Sequence, residues 1–236
     1  ADALIRPAMS TSAPGRPLET PPPERLLKAD LFGSVSLRPG GAECLVRRDT
    51  TCARAGLGWL ARLLARREAR ALESLGGLAG TPRLIGFDGR RLDRSFIDGL
   101  PMQQARPAEP AYFREALRLL RRLHLAGVTH NDLAKETNWL VTPDGRPALV
   151  DFQLAAIHRR RSRLFRLLAR EDLRHLLKHK RTYLPSGLSA RQRRILSTPA
   201  PHARLWRATG KRLYLVITRR LLGWADREGA GDRRFP

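Results

Sequence analysis

Val128-Thr-His-Asn-Asp-Leu-Ala-Lys-Glu-Thr-Asn-Trp-Leu-Val-Thr-Pro-Asp-Gly-Arg-Pro-Ala-Leu-Val-Asp-Phe-Gln-Leu154 is the stretch on which the fold turns. His130, Asp132, Lys135 and Asn138 crowd into nine positions. Trp139-Leu-Val-Thr142 and Pro147-Ala-Leu-Val150 are apolar runs on either side of Pro143-Asp-Gly145. Proline presets φ in such a turn and glycine supplies the positive φ, so the pattern predicts a hairpin. The hairpin returns Asp151 to the side of Asn138. Asp132, Asn138 and Asp151 then converge, and two carboxylates with an amide oxygen suit a hard cation such as Mg²⁺ with a phosphate attached.

This arrangement resembles the catalytic core of the protein-kinase-like superfamily. His130-Asn131-Asp132-Leu133 is similar to its His-x-Asp-Leu catalytic loop, and Asp151-Phe152-Gln153 to its Asp-Phe-Gly metal motif. The resemblance extends more weakly over residues 28–180. It implies an α+β, bilobal protein-kinase-like fold, with a small β-rich N-lobe carrying one helix and a mainly helical C-lobe. The expected division is a flexible lead-in over residues 1–24, rich in Pro, Ser, Thr and Gly, an N-lobe over 25–102 and a C-lobe over 103–236.

Upstream, residues 25–48 read as a strand pair turning at Arg38-Pro-Gly-Gly41. Only Gly33 and Val35 match the tail of the glycine-rich hairpin that covers nucleotide phosphates in kinases. Arg47 stands where the third-strand lysine is expected, and Arg48 takes that place under a one-residue slip. Residues 53–75 read as a helix with Leu57, Leu60, Leu64, Leu72 and Leu75 on its apolar stripe. Glu68 lies on that stripe with no cation three or four residues away in its own helix. A buried acid needs a cation partner, and the resemblance supplies one, predicting a Glu68–Arg47 pair. Residues 82–102 hold two short strands, the second leading into a hinge at Ser95 to Gly99. Residues 110–126 form the next helix, with Phe113, Leu117 and Leu120 as its stripe, and His124 as a packed histidine at its end.

By the resemblance, Asp132 is the base or orienter for a hydroxyl nucleophile, and Lys135 neutralises the transferred phosphoryl group. Asn138 and Asp151 hold metal, and Gly33, Val35, Arg47 and Glu68 serve ATP. ATP and Mg²⁺ are the implied cofactors. His130 braces the loop. Two departures stand out. Asn138 follows Asp132 by six residues instead of five, and Gln153 replaces a glycine, which implies a metal motif fixed in one state. No long regulatory segment follows Asp151. Arg159-Arg-Arg161 leads directly into a helix with Leu164, Leu167, Leu168, Leu173, Leu176 and Leu177 as apolar positions. That absence resembles small RIO-type kinases and bacterial lipopolysaccharide core (Kdo/heptose) kinases. The implied acceptor is a hydroxyl, on a protein Ser/Thr or on a lipopolysaccharide-core sugar. The alternative is a pseudokinase that binds nucleotide without transfer.

Charge separates the chain from ordinary domains. The net charge is +23, and from Ala155 onward 22 Lys/Arg face 5 Asp/Glu, which places +17 of it there. Such a surface favours phosphate-bearing partners, namely anionic membrane, lipopolysaccharide or nucleic acid. An arginine-rich composition giving a solvated face explains it equally well. Nucleic acid ranks last, since aromatics are 6% and no nucleic-acid module is legible. Residues 203–225 form a basic amphipathic segment, read as a closing helix of the core or a membrane-surface helix. Cys44 and Cys52 lack metal-ligand spacing and read as reduced thiols. No signal-peptide pattern is present at the N-terminus, so the expected location is cytoplasmic, with peripheral contact at the inner membrane as the further expectation.

Overall fold

The structure, a computed structural model, describes residues 24–40 and 43–198. The lead-in before Glu24 and the basic segment over residues 203–225 lie outside the described residues.

Strands β1 (Arg25–Asp30), β2 (Gly33–Gly40), β3 (Glu43–Asp49), β4 (Leu84–Phe87) and β5 (Arg91–Ser95) form one antiparallel sheet in the order β1-β2-β3-β5-β4. The strand expected to run from Leu26 to Leu37 is broken by a two-residue loop, Leu31-Phe32, where Asp30 Oδ1 accepts from the Phe32 N–H at 2.8 Å. Three strands therefore stand where the sequence pattern predicts two. The missed signal is Asp30, whose short side chain takes a turn N–H. Gly33 follows at φ +123°, and a Cβ there would lie 2.1 Å from the Asp49 carbonyl oxygen. Only glycine allows β2 to start so close to the end of β3.

Helix α1 (Gly58–Leu75) packs on this sheet. It starts five residues later than the expected 53. Its buried stripe is Ala61, Ala65, Glu68, Leu72 and Leu75, with small residues in the first half. Of the expected leucines, Leu72 and Leu75 are buried, while Leu57, Leu60 and Leu64 are half-buried. Gly76 closes the helix in the left-handed conformation, its N–H donating to the Glu73 carbonyl.

After β5 the chain passes through Phe96–Gly99 to β6 (Leu100–Pro101) and the single turn α2 (Met102–Ala105). Helix α3 (Pro110–Leu125) begins with proline in its first turn, where no backbone donor is lost. It buries Phe113, Ala116, Leu119, Leu120 and Leu123. Then follow β7 (Val128–Thr129), β8 (Trp139–Val141), β9 (Pro147–Leu149) and β10 (Ala156–Ile157). β8 and β9 form the expected hairpin, with Trp139 opposite Leu149 and Val141 opposite Pro147. β6 pairs with β8, and β10 pairs with β7. Helix α4 (Arg163–Tyr183) is capped by the Ser162 hydroxyl. Helix α5 (Ala190–Ser197) carries a capping box of Ser189 and Gln192.

One apolar cluster joins the two parts. It runs from Leu72 and Leu75 of α1 through Phe113, Leu120 and Leu123 to Leu133, Trp139, Leu149, Phe152 and Leu176. Leu133 and Phe152, which follow Asp132 and Asp151, are fully buried. Packing of this kind fixes the position of Asp132 and Asp151 more rigidly than a surface loop could. Among the described residues no helix is long and apolar enough to cross a membrane.

Candidate active site

The loop after β7 is held from below. The backbone N–H groups of His130 and Asn131 both donate to the carboxylate of Asp172 on α4, each at 2.9 Å. His124 Nε2 reaches the same carboxylate at 3.1 Å. Asn131 sits at φ 67°, a left-handed position that asparagine tolerates, and its Nδ2 donates to the Leu154 carbonyl at 2.9 Å. His130 is buried, its Nε2 lies 3.0 Å from the Val150 carbonyl, and its ring lies 4.6 Å from that of Phe152. Burial depresses its pKa and favours the neutral ring. It braces the loop, as expected. His124 does more than pack, because it shares the buried anchor Asp172.

Asp132 emerges from this anchor. Its Oδ2 lies 3.1 Å from Lys135 Nζ and 3.1 Å from Asn138 Nδ2. Asn138 Nδ2 also donates to the Asp132 carbonyl at 2.8 Å. The extra residue between them is taken up by a 3₁₀ turn over Glu136–Asn138. That turn is tied to α4. Tyr183 donates its hydroxyl proton to Glu136 Oε2 at 2.6 Å, and His179 Nε2 lies 2.8 Å from the Leu133 carbonyl. The longer loop therefore still brings Asn138 onto Asp132.

Asn138 and Asp151 are brought together by the hairpin, since the Val150 N–H donates to the Asn138 carbonyl at 3.1 Å. Asp151 adopts φ 64° and begins a 3₁₀ turn over Phe152–Leu154. Gln153 Nε2 donates to Asp151 Oδ1 at 2.6 Å. Burial would raise the Asp151 pKa, but Arg48, Arg94, Gln153 and His130 together outweigh it and hold the carboxyl below its usual range. Arg67 of α1 donates to the carbonyls of Leu154 and Ala155, which ties the helix to the turn after Asp151.

The expected Glu68–Arg47 pair is not formed. Arg47 points to the other face of the sheet and makes a two-pronged pair with Asp93, at 2.7 and 2.6 Å. Arg48, one residue on, faces inward. Its Nε lies 3.3 Å from Glu68 Oε2 and its Nη2 3.9 Å from Asp151 Oδ1. The reason is strand parity: successive side chains take opposite faces, so a slip of one residue exchanges them. Arg47 is set opposite Asp93 and Arg48 opposite Leu92. Val35, opposite Arg48 on β2, shares the inner face. Glu68 is fully buried and also pairs with Arg94 of β5. Burial lowers the pKa of Arg94 to about 10, with Arg48 adding to the effect, and both guanidiniums remain charged at neutral pH.

Arg48 and Arg94 face Glu68 and Asp151 on the inner side of the sheet, and the anchored loop carries Asp132, Lys135 and Asn138. Among solved structures, the chain is similar to the Rio2 kinase from Chaetomium thermophilum, with a TM-score of 0.53 and 16% identity over 73% of this chain. The fold is protein-kinase-like. The match spans 58% of the length of that kinase chain. No protein-family model matches the chain, and no curated protein matches it.

In the kinase-like frame, two functional residues, Asp172 and Arg94, give no signal in the sequence. Asp172 lies 42 residues beyond His130 in an arginine-rich helix. Arg48, the expected alternative to Arg47 under a one-residue slip, is the one that strand parity turns to Glu68. Arg94 is one of four arginines in 12 positions, 83–94, and only its burial and its pairing with Glu68 single it out. The hinge expected at Ser95 to Gly99 falls on the end of β5 and the irregular segment that follows it. Phe96 N–H there donates to the Cys44 carbonyl at 3.2 Å.

Asn138 and Asp151 are the residues that could hold a divalent cation. With Asn138 Nδ2 committed to Asp132, Oδ1 is the atom left to face a cation, and Asp151 Oδ2 is the carboxylate oxygen not taken by Gln153. Among the described residues no group of three His, Cys, Asp or Glu could cage a metal. One carboxylate and one amide oxygen fit Mg²⁺, which keeps waters and phosphate oxygens in most of its sphere.

Proposed function

We propose that the chain is a kinase that moves the terminal phosphoryl group of ATP to a hydroxyl acceptor, with Mg²⁺. The observation that carries this reading is the joint placement of Asp132, Lys135 and Asn138 on one anchored loop with Asp151 beside them and Arg48 above. Chemistry needs those groups, and a scaffold does not. In phosphoryl transfer the protein contributes position and charge more than covalent chemistry. Mg²⁺, when held by Asn138 and Asp151, would supply positive charge against that of the phosphates.

Asp132 takes the acceptor's hydroxyl proton as the oxygen–phosphorus bond forms and the bond from the γ-phosphorus to the bridging oxygen breaks, so ADP leaves with that oxygen. Lys135, 3.1 Å from Asp132, offsets negative charge on the phosphoryl group in flight. Asn138 and Asp151 would hold the cation. Arg48, in place of Arg47, faces the phosphates, and Glu68 orients it. Gly33 and Val35 form the near edge of the β1–β2–β3 cover.

The acceptor is a protein Ser/Thr hydroxyl or a lipopolysaccharide-core sugar. The basic surface supports an anionic acceptor or an anionic membrane beside it, and nucleic acid less well. ATP places the reaction on the cytoplasmic side, peripheral to the inner membrane if the acceptor is lipid-borne. A second reading, nucleotide binding without transfer, is favoured by the commitment of Asp151 Oδ1 to Gln153 and the approach of Arg48.

The deciding experiment is ATP turnover with Mg²⁺ for the wild type, Asp132→Asn and Asp151→Asn. Wild-type hydrolysis or self-labelling that both variants lose supports transfer. Nucleotide binding without turnover in the wild type gives the second reading. Full activity in both variants would mean that the site lies elsewhere.

A further inference from the structure

Glu68 has a separate cation on each carboxylate oxygen. Arg48 Nε lies beside Oε2, and Arg94 Nη1 lies beside Oε1. The two arginines share the inner face of the sheet because Arg94 is set opposite Val46 and Arg48 opposite Leu92. Their side chains are only 10% and 9% exposed, and Glu68 is not exposed at all. The fourth member, Asp151, stands 3.9 Å from Arg48 Nη2. Two cations and two anions therefore close a chain, Arg94–Glu68–Arg48–Asp151, buried at its first three members and part-exposed at Asp151, whose formal charge is zero. Without Arg94 the remaining three groups would sum to −1.

Arg94 also decides where Arg48 points. A guanidinium facing a lone carboxylate engages both oxygens in parallel. Here one oxygen is already taken, so Arg48 divides itself between Glu68 and Asp151. A guanidinium that close to Asp151 repels a divalent cation and attracts phosphate oxygens in its stead.

We propose that Arg94 is a charge-balancing, positioning residue of the phosphate site: by saturating Glu68 it leaves Arg48 to share Asp151, so that the site takes a polyphosphate with a reduced requirement for divalent cation. The ligand class rests on the kinase reading above, while the effect on cation affinity does not. If Arg94 only filled Glu68's hydrogen-bonding needs, its loss would cost stability and leave cation affinity where it was.

The test uses the full chain as wild type, Arg94→Met, Arg94→Gln and Arg94→Lys. Mn²⁺ binding without nucleotide is followed by the electron-paramagnetic signal of the free ion. Removal of one unit charge from a part-buried site is expected to tighten Mn²⁺ in Arg94→Met and Arg94→Gln by about ten-fold or more, with Arg94→Lys near the wild type. Equal Mn²⁺ affinity in wild type and in whichever charge-removing variant folds would overturn the proposal. A second arm needs no variant: ATP affinity of the wild type is measured by calorimetry with Mg²⁺ and with a chelator. A change of less than about ten-fold is expected, and a loss beyond about a hundred-fold overturns the proposal. If the wild type binds no ATP under either condition, the kinase reading fails, and the Mn²⁺ arm still decides the role of Arg94.

Discussion

Glu68 Oε2 lies 3.3 Å from the Nε of Arg48, while the neighbouring Arg47 turns away and closes on Asp93. The two adjacent arginines therefore have separable effects. Arg48→Met is expected to abolish nucleotide binding and turnover. Glu68 keeps Arg94 in that variant, so its stability loss should stay below the roughly 3–5 kcal/mol of breaking a buried pair outright. Arg47→Met removes a partly exposed cross-strand pair, costs about 1 kcal/mol or less, and leaves the nucleotide site intact. Calorimetric titration with ATP and urea denaturation of both variants check this. The reverse pattern, with Arg47 essential and Arg48 dispensable, would move the phosphate site to the other face of the sheet.

The loop that carries Asp132 hangs on Asp172. Its two oxygens accept from two backbone N–H groups and face His124. An asparagine at this position keeps one acceptor and turns an N–H₂ donor toward a group that is itself a donor. Asp172→Asn is therefore expected to lose about 2–4 kcal/mol of stability, since bonds to a charged acceptor contribute more than neutral ones. Turnover should fall with it even where the protein remains folded, because Asp132 is positioned through this loop. His124→Phe, which spares the two backbone bonds, should cost less. Denaturation midpoints that rank His124→Phe as the worse variant would contradict the anchoring role.

These contacts mark where the sequence could be read and where it could not. The stretch from His130 to Asp151 was legible because its polar residues are close in sequence and its turn carries Pro143 and Gly145, whose backbone preferences are local. Glu68 was legible as an inward acid because helical spacing is regular. Its partner was not, because a strand gives no internal clue to which of two successive arginines faces the core. The loop at Leu31-Phe32 was missed since neither residue is a turn former, and the signal lies in Asp30. Asp172 and Arg94 were illegible for another reason. Each is one charged residue among many in a chain of 45 Lys/Arg, and only tertiary burial distinguishes it.

Gln153 ties down the acid two residues before it, with Nε2 2.6 Å from Asp151 Oδ1. A glycine there removes the tie and widens the backbone's choices. Gln153→Gly is expected to raise amide hydrogen exchange over Phe152–Leu154 and to cost roughly 1–2 kcal/mol, from the lost bond to a carboxylate and the added chain entropy. Phe152, fully buried against His130, should limit the loosening to this turn. Exchange in the turn that matches the wild type would show that packing alone, and not Gln153, fixes Asp151.

Acid should unfold the protein through the half-buried His175 and the buried His130 before its carboxylates. Burial, with Lys178 and His179 nearby, lowers the pKa of His175 on α4 to about 4, and burial depresses His130 in the same direction. The unfolded chain takes up these protons near pH 6.5, where a free imidazole titrates. The folded state resists them, so the unfolded state binds more protons as pH falls below that value. Stability is therefore full above pH 6.5 and is lost as pH falls from 6.5 toward 4. For His175 the loss is on the order of 3 kcal/mol at most, taken at 1.36 kcal/mol per pKa unit. His175→Phe removes the titration and should flatten this limb, with the His130 contribution left in place. Urea denaturation at pH 7.5 and pH 4.5 measures both. A variant whose stability falls in parallel with the wild type would exclude His175 as a source of the acid limb.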